Sequence, residues 1–169
     1  MSALPDSATW QLFKTAWESG RHLESPSIIP GGLAVDDRGM LAFANDFDLT
    51  PYKRFYTVKN HRQGFVRAWH GHKFEQKAVL PVSGDFLVCA VKVDDWNSPS
   101  KDLKVERFVL SSSSPRLLVI PAGYANGFMN LSSGENRLMF FSTSTLQESM
   151  SDDIRFDSRL WDPWGVEER

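Results

Sequence analysis

The sequence predicts an all-β domain, a jelly roll or closed barrel preceded by one short helix, and three observations carry that reading. From about Ile28 onward, short runs rich in Val, Phe and Leu alternate with Gly, Pro, Asn and Asp, the pattern of strands joined by tight turns. The runs number eight or more, enough to close a double sheet or barrel that leaves few strand edges open. The one stretch of helical period comes before them: Trp10, Phe13, Ala16 and Trp17 share a face between Ser7, a good N-cap, and Glu18.

The expected strands are Gly32 to Val35, Gly39 to Asn45, Lys53 to Lys59, Gly64 to His70, Lys77 to Val82, Asp85 to Val93, Val105 to Leu110, Arg116 to Ile120, Gly127 to Leu131 and Arg137 to Ser144. Between them, Asp36-Asp37-Arg38-Gly39, Ser83-Gly84-Asp85, Asn97-Ser98-Pro99 and Pro121-Ala122-Gly123 supply turn residues. The end of the chain mixes acidic residues with Trp161 and Trp164, so it is expected to pack back on the barrel. The organisation is therefore a single domain: a helical segment over 1–27, a barrel over 28–145 and a packed tail over 146–169.

Composition narrows the function. A chain of 169 residues with 41% hydrophobic content can fill one core without disulfides or metal. Its 19 basic and 21 acidic residues are spread along the chain for a net charge of -2, which gives no basic face for nucleic acid. No apolar run is long enough for a membrane span and no signal peptide is visible, so the expected location is the cytoplasm. The lone cysteine, Cys89, sits in the run Phe86-Leu87-Val88-Cys89-Ala90-Val91 and reads as a buried thiol.

The chemistry concentrates in Gly64 to Lys77. Side chains alternate along a strand, so His70 and His72 are expected on one face, turned into the barrel. A His-x-His pair serves metal ligation, acid–base chemistry or structure. A three-histidine metal site needs a further imidazole from a later strand. The segment Pro121-Ala122-Gly123-Tyr124-Ala125-Asn126-Gly127-Phe128-Met129-Asn130 offers Asn126 in that place, and an amide is a weak ligand for transition metals. The expectation is no metal, with Glu75 a spare carboxylate.

In order and spacing, Arg67-Ala68-Trp69-His70 followed by Lys77, then Val93 to Ser100, then Ile120 to Phe128, resemble the dTDP-4-dehydrorhamnose 3,5-epimerase family, and Asp37-Arg38-Gly39 is similar to that family's Asp-x-Arg-Gly stretch. The resemblance implies a cupin-type jelly roll, a homodimer, a nucleoside-diphosphate-linked 4-keto-6-deoxy sugar as substrate, and no cofactor. It implies His70 as the base that forms an enolate beside the ketone. Lys77 and Arg67 are then cations for the enolate oxygen or the diphosphate. Arg38 becomes a diphosphate or sugar contact, in its own subunit or the neighbouring one.

Two departures stand beside these matches. The family's acid is a tyrosine, and an ungapped alignment from Asn126 places Met139 at that position. The family's histidine-orienting aspartate lies in a C-terminal extension; here Asp152, Asp153, Asp157 and Asp162 are the substitutes, with none singled out. A second family, the sugar-nucleotide 3,4-ketoisomerases, resembles Arg67-Ala68-Trp69-His70-Gly71-His72-Lys73 with nearby Gln76, and uses a tyrosine on the preceding strand. Tyr56 is therefore the replacement acid, with Tyr124 as the other candidate. His72, Gln76, Tyr124 and Asn126 complete the expected substrate contacts. A sugar-binding cupin without activity is the reading from a different class.

Overall fold

The computed structural model describes residues 24–166; the helix expected over Ser7 to Glu18 lies outside them. In chain order the elements are β1 (Ser27–Pro30), β2 (Gly32–Asp36), β3 (Gly39–Phe43), β4 (Arg54–Val58), β5 (Val66–His72), β6 (Lys77–Ser83), β7 (Asp85–Lys92), β8 (Val105–Ser111), β9 (Arg116–Ile120), β10 (Tyr124–Asn130), β11 (Arg137–Ser142), α1 (Leu146–Ser151) and β12 (Ile154–Arg155). Every expected strand is present, Arg116–Ile120 with the expected ends and the others with shifted ones. β1, α1 and β12 have no expected counterpart, although α1 carries a legible capping box from Thr145 and Glu148.

Two five-stranded antiparallel sheets, ordered β1-β9-β6-β11-β4 and β12-β5-β10-β7-β8, enclose the core, while β2 and β3 form a separate hairpin. This is the expected all-β jelly roll. The interior cluster takes Val79, Leu118, Ile120, Leu138 and Phe140 from the first sheet and Phe86, Val88, Ala90, Leu110 and Phe128 from the second. Strand β7 explains its own composition: Phe86, Val88 and Ala90 face the interior, while Leu87, Cys89 and Val91 join a second cluster on the outer face. Both faces are covered, so the run is apolar throughout. Burial pushes the Cys89 thiol up to about 12, which leaves it inert.

The cover on that outer face is the end of the chain. Trp161 and Trp164 are buried with their rings 5.4 and 5.2 Å from that of Trp69, itself fully buried on β5. Phe156 and Trp96 complete the layer. No helix among the described residues is long and apolar enough to cross a membrane.

Candidate active site

A bulge in β5 sets the direction of the site side chains. Asn126 of β10 lies opposite His70 and Phe128 opposite Arg67, so Gly127 faces both Ala68 and Trp69. These two turn outward together, and Arg67, His70 and His72 all fall on the interior side with Asn126 and Phe128. Gly127 is required there, because a Cβ would stand 2.5 Å from that of Ala68.

The two imidazoles then acquire different partners. His70 Nδ1 lies 3.5 Å from Asp153 Oδ1, a buried oxygen with no hydrogen-bond partner among the described residues. Asp153 also accepts from Arg155 Nε at 2.7 Å, and Arg155 Nη1 stands 3.3 Å from His70 Nε2. These residues arrive because β12 pairs with the edge of β5, Arg155 opposite His70. Burial, reinforced by the Arg155 charge, brings the His70 pKa down to about 4, so the ring is neutral near pH 7. Asp153 is held below the usual carboxylate range; burial opposes this, and the contact with Arg155 outweighs it.

His72 is enclosed, with 4% of its side chain exposed. Its Nε2 is 2.8 Å from Lys77 Nζ, while Nδ1 faces Glu75 Oε2 at 3.0 Å without an in-line acceptor. Glu75 accepts from the hydroxyls of Ser142 at 2.6 Å and Ser149 at 2.7 Å, with an Arg54 nitrogen 3.5 Å away. The turn that carries Glu75 is clamped by Asp152, whose carboxylate accepts from the backbone N–H groups of Lys73, Phe74 and Glu75. Burial lowers the pKa of both His72 and Lys77.

Tyr56, on β4, joins the interior cluster, stacked on Phe140 at 5.1 Å with the Arg54 guanidinium 5.0 Å from its ring centroid. Burial and the nearby Glu75 charge raise its pKa, so the phenol keeps its proton as a donor. Asn126 is buried and donates through its amide to the His70 carbonyl at 3.0 Å. Arg67 lies exposed at the rim, its Nε donating to Asn60 Oδ1 at 3.0 Å.

A family model described as FdtA: WxcM-like, C-terminal matches residues 26–156. The chain belongs to this WxcM-like, C-terminal family. Comparison with curated protein sequences gives no match. Among solved structures, a dTDP-4-dehydrorhamnose 3,5-epimerase from Bacillus anthracis with TDP and pyrophosphate bound is similar at 18% identity and TM-score 0.67, over 88% of this chain and 89% of that one. A dTDP-6-deoxy-D-glucose-3,5-epimerase from Legionella pneumophila is similar at 19% identity and TM-score 0.66, over 85% and 80%. A 3,4-ketoisomerase from Helicobacter canadensis is similar at 18% identity and TM-score 0.60, over 80% and 93%. The jelly roll read from the sequence is thus the fold of sugar-nucleotide epimerases and ketoisomerases.

Within this member of the WxcM-like family, the structure gathers His70, His72, Lys77, Tyr56, Asn126 and Tyr124 on the barrel interior and turns three other residues, Arg38, Gln76 and Met139, away from it. Arg38 is at the tip of the β2–β3 hairpin, its side chain 85% exposed and paired with Asp36, so it does not line the barrel of its own chain. Gln76 turns the other way: the backbone alternates into Lys77, and its amide donates to the Tyr52 hydroxyl at 3.4 Å in the cluster outside the first sheet. Tyr124, the first residue of β10, has its ring in the interior cluster, while its hydroxyl donates to the Glu24 carbonyl at 3.0 Å and so ties the barrel to the start of the described chain. Met139, aligned with the missing tyrosine, pairs with Thr57 and Leu80 on the outward side. Its neighbour Phe140 is the inward residue, since a single step in register changes the face.

Of the four aspartates left open by the sequence, Asp153 is the one beside His70. Asp152 clamps the turn, Asp157 accepts from the Arg159 backbone and Asp162 pairs with Arg159. Arg155, Arg54 and the role of Glu75 were missed. Strand alternation and loop length give no signal that a tail residue will pair with the edge of β5. Among the described residues no group of three His, Cys, Asp or Glu side chains is placed to hold a metal.

Proposed function

We propose that the protein is an isomerase that epimerises a nucleoside-diphosphate-linked 4-keto-6-deoxy sugar by enolisation next to the ketone. The observation that carries the reading is His70: a neutral imidazole on the barrel interior, its Nδ1 side facing Asp153. A 4-keto group acidifies the neighbouring C–H bonds, and Nε2 takes one of these protons. Asp153 stabilises the imidazolium that results. Lys77 and Tyr56 meet the developing oxygen charge, and return of a proton from the opposite face inverts the carbon. Proton transfers alone complete the reaction, so no metal or cofactor enters it. Arg155 blocks Nε2 until a diphosphate offers it and Arg67 a stronger, charge-assisted partner.

The position of His72 and Tyr56 on the same interior favours a second reading, a sugar-nucleotide 3,4-ketoisomerase. Both reactions share the first proton abstraction and differ in the product. The chain is read as a cytoplasmic homodimer serving sugar biosynthesis for cell-surface polysaccharides. The β2–β3 hairpin supports the dimer, since Val35, Met40 and Leu41 are 74, 65 and 63% exposed, an apolar surface suited to a second copy. Arg38 at its tip would then face the partner's site.

The test is solvent exchange. With dTDP-4-keto-6-deoxyglucose in deuterium oxide, deuterium is expected beside the ketone for the wild type and roughly 100-fold more slowly for His70→Asn, with nucleotide-sugar binding retained. Equal rates remove His70 from the role of base. No exchange with any nucleotide 4-keto sugar leaves sugar binding as the function. NMR of the product separates an inverted 4-ketone from a 3-ketone.

A further inference from the structure

We propose that Glu75, His72 and Lys77 act as one buried unit, in which Glu75 is a positioning residue and Lys77 hands a proton to the ketone oxygen while His70 takes the neighbouring C–H proton. This rests on the reading of the site as an enolising one, and gives the ketone oxygen its proton source.

Glu75 is the unexplained group. Its side chain has no exposure to solvent, and a buried carboxylate persists only where donors and cations compensate it. Two serine hydroxyls, one from β11 and one from α1, fill part of its capacity. Oε2 also stands 3.0 Å from His72 Nδ1, close enough for electrostatic attraction but out of line for a hydrogen bond. Asp152 fixes the turn through three backbone N–H groups, so the carboxylate has little freedom to move elsewhere.

The placement selects a tautomer. An ammonium only donates, so the Nε2 lone pair of His72 accepts from Lys77 Nζ at 2.8 Å and the ring proton sits on Nδ1, on the side of Glu75. One N–H of Lys77 is thereby held and two remain for a ligand. In the reaction, His70 Nε2 takes the proton from carbon, the C–H electron pair becomes the C=C bond, and the carbonyl π pair moves to oxygen. A proton from Lys77 then forms the enol and leaves an amine, which takes that proton back when the ketone reforms.

Charges face Lys77 from several elements: His70 and His72 on β5, Glu75 in the turn, Arg54 on β4, and Asp153 and Arg155 in the tail. Burial lowers the Lys77 pKa, Arg54 and Arg155 add to this, and Glu75 and Asp153 oppose it. Lys77 acts while protonated, so exchange is lost as pH rises through its pKa. Removing the Glu75 charge must move that alkaline limb to lower pH.

The variant is Glu75→Gln, followed by the pH dependence of deuterium exchange into dTDP-4-keto-6-deoxyglucose. The expected result is an alkaline limb lowered by about one pH unit or more, with KM little changed. Lys77→Met is expected to lose exchange about 100-fold and to have no such limb. Nitrogen-15 NMR of the wild type, without substrate, is expected to show His72 as the Nδ1–H tautomer, with an Nε2 signal that moves in Lys77→Met. If Glu75→Gln does not fold, these two spectra decide the positioning. An Nε2–H tautomer, an Nε2 signal indifferent to Lys77, or an unmoved alkaline limb overturns the proposal. Absence of exchange in the wild type overturns the enolisation reading and the Lys77 proton step with it, whereas loss of the tautomer alone overturns only the unit.

Discussion

Arg155 is the cation nearest the base, and removing it should retune His70 by a calculable amount. Its Nη1 stands 3.3 Å from His70 Nε2, and its side chain is 63% exposed, so solvent screens the pair and the water value of the dielectric constant gives the smallest repulsion. At that distance two unit charges repel by about 1.3 kcal/mol, close to the roughly 1.4 kcal/mol that corresponds to one pKa unit. In Arg155→Ala the His70 pKa should therefore rise from about 4 by about one unit. Asp153, freed of its arginine, acts in the same direction. The value stays below the ordinary 6.5 because burial is the larger cause. Activity requires the neutral ring, so the acid limb of deuterium exchange moves up with the pKa. Stability changes with the same sign: as pH falls from 6.5 to about 4, the unfolded chain takes a proton that folded His70 refuses, and stability drops. The variant narrows that window. The assay is the NMR titration of the His70 ring in both proteins, and an unchanged or lowered midpoint would refute the electrostatic account.

Two further outcomes test other parts of the site. Tyr56→Phe keeps the ring stacked on Phe140, so unfolding by denaturant should change by less than about 1 kcal/mol while turnover falls by roughly 100-fold; normal turnover would dismiss the phenol as a donor to the developing oxygen charge. Trp69→Ala empties the centre of the outer aromatic layer and should cost about 3–5 kcal/mol in denaturant unfolding, and a loss under about 1 kcal/mol would mean that the tail is not anchored there.

The sequence was most legible where one rule applied at a time. Alternation in β5 and β7 and the turns around Gly39, Gly84 and Gly123, which carry positive φ angles of 134, 78 and 86°, gave the strands and the interior direction of His70 and His72. The resemblance at Gln76 and the ungapped alignment at Met139 pointed to residues that face away from the interior, for one reason. Both lie one residue from an inward side chain, Lys77 and Phe140, and an ungapped count carries no information about face. Asp153 and Arg155 were illegible because their place depends on β12, a two-residue strand whose pairing is decided by tertiary packing and not by local propensity. Arg54 and Glu75 read as ordinary charges in a sequence because burial, which gives them meaning, is a property of the closed barrel.

The tail links these two levels. Gly71 separates the two site histidines, and a Cβ there would stand 2.7 Å from Trp96 and 3.0 Å from Phe156, so a small residue between the imidazoles is what lets the tail close over β5. Phe156 exchanges backbone hydrogen bonds with Trp69 at 3.2 and 3.3 Å, and Ile154 pairs with Gly71 itself. Asp153 and Arg155 are therefore positioned by aromatic burial on the face of the sheet opposite to the one where they act. A change that loosens the tryptophan layer should raise the mobility of Asp153 before it unfolds the barrel. Trp69→Ala is then expected to lower exchange at temperatures where the barrel remains folded, with nucleotide-sugar binding through Arg67 less affected. Intact exchange alongside a measured loss of tail protection in amide hydrogen exchange would separate the aromatic layer from the site and refute the link.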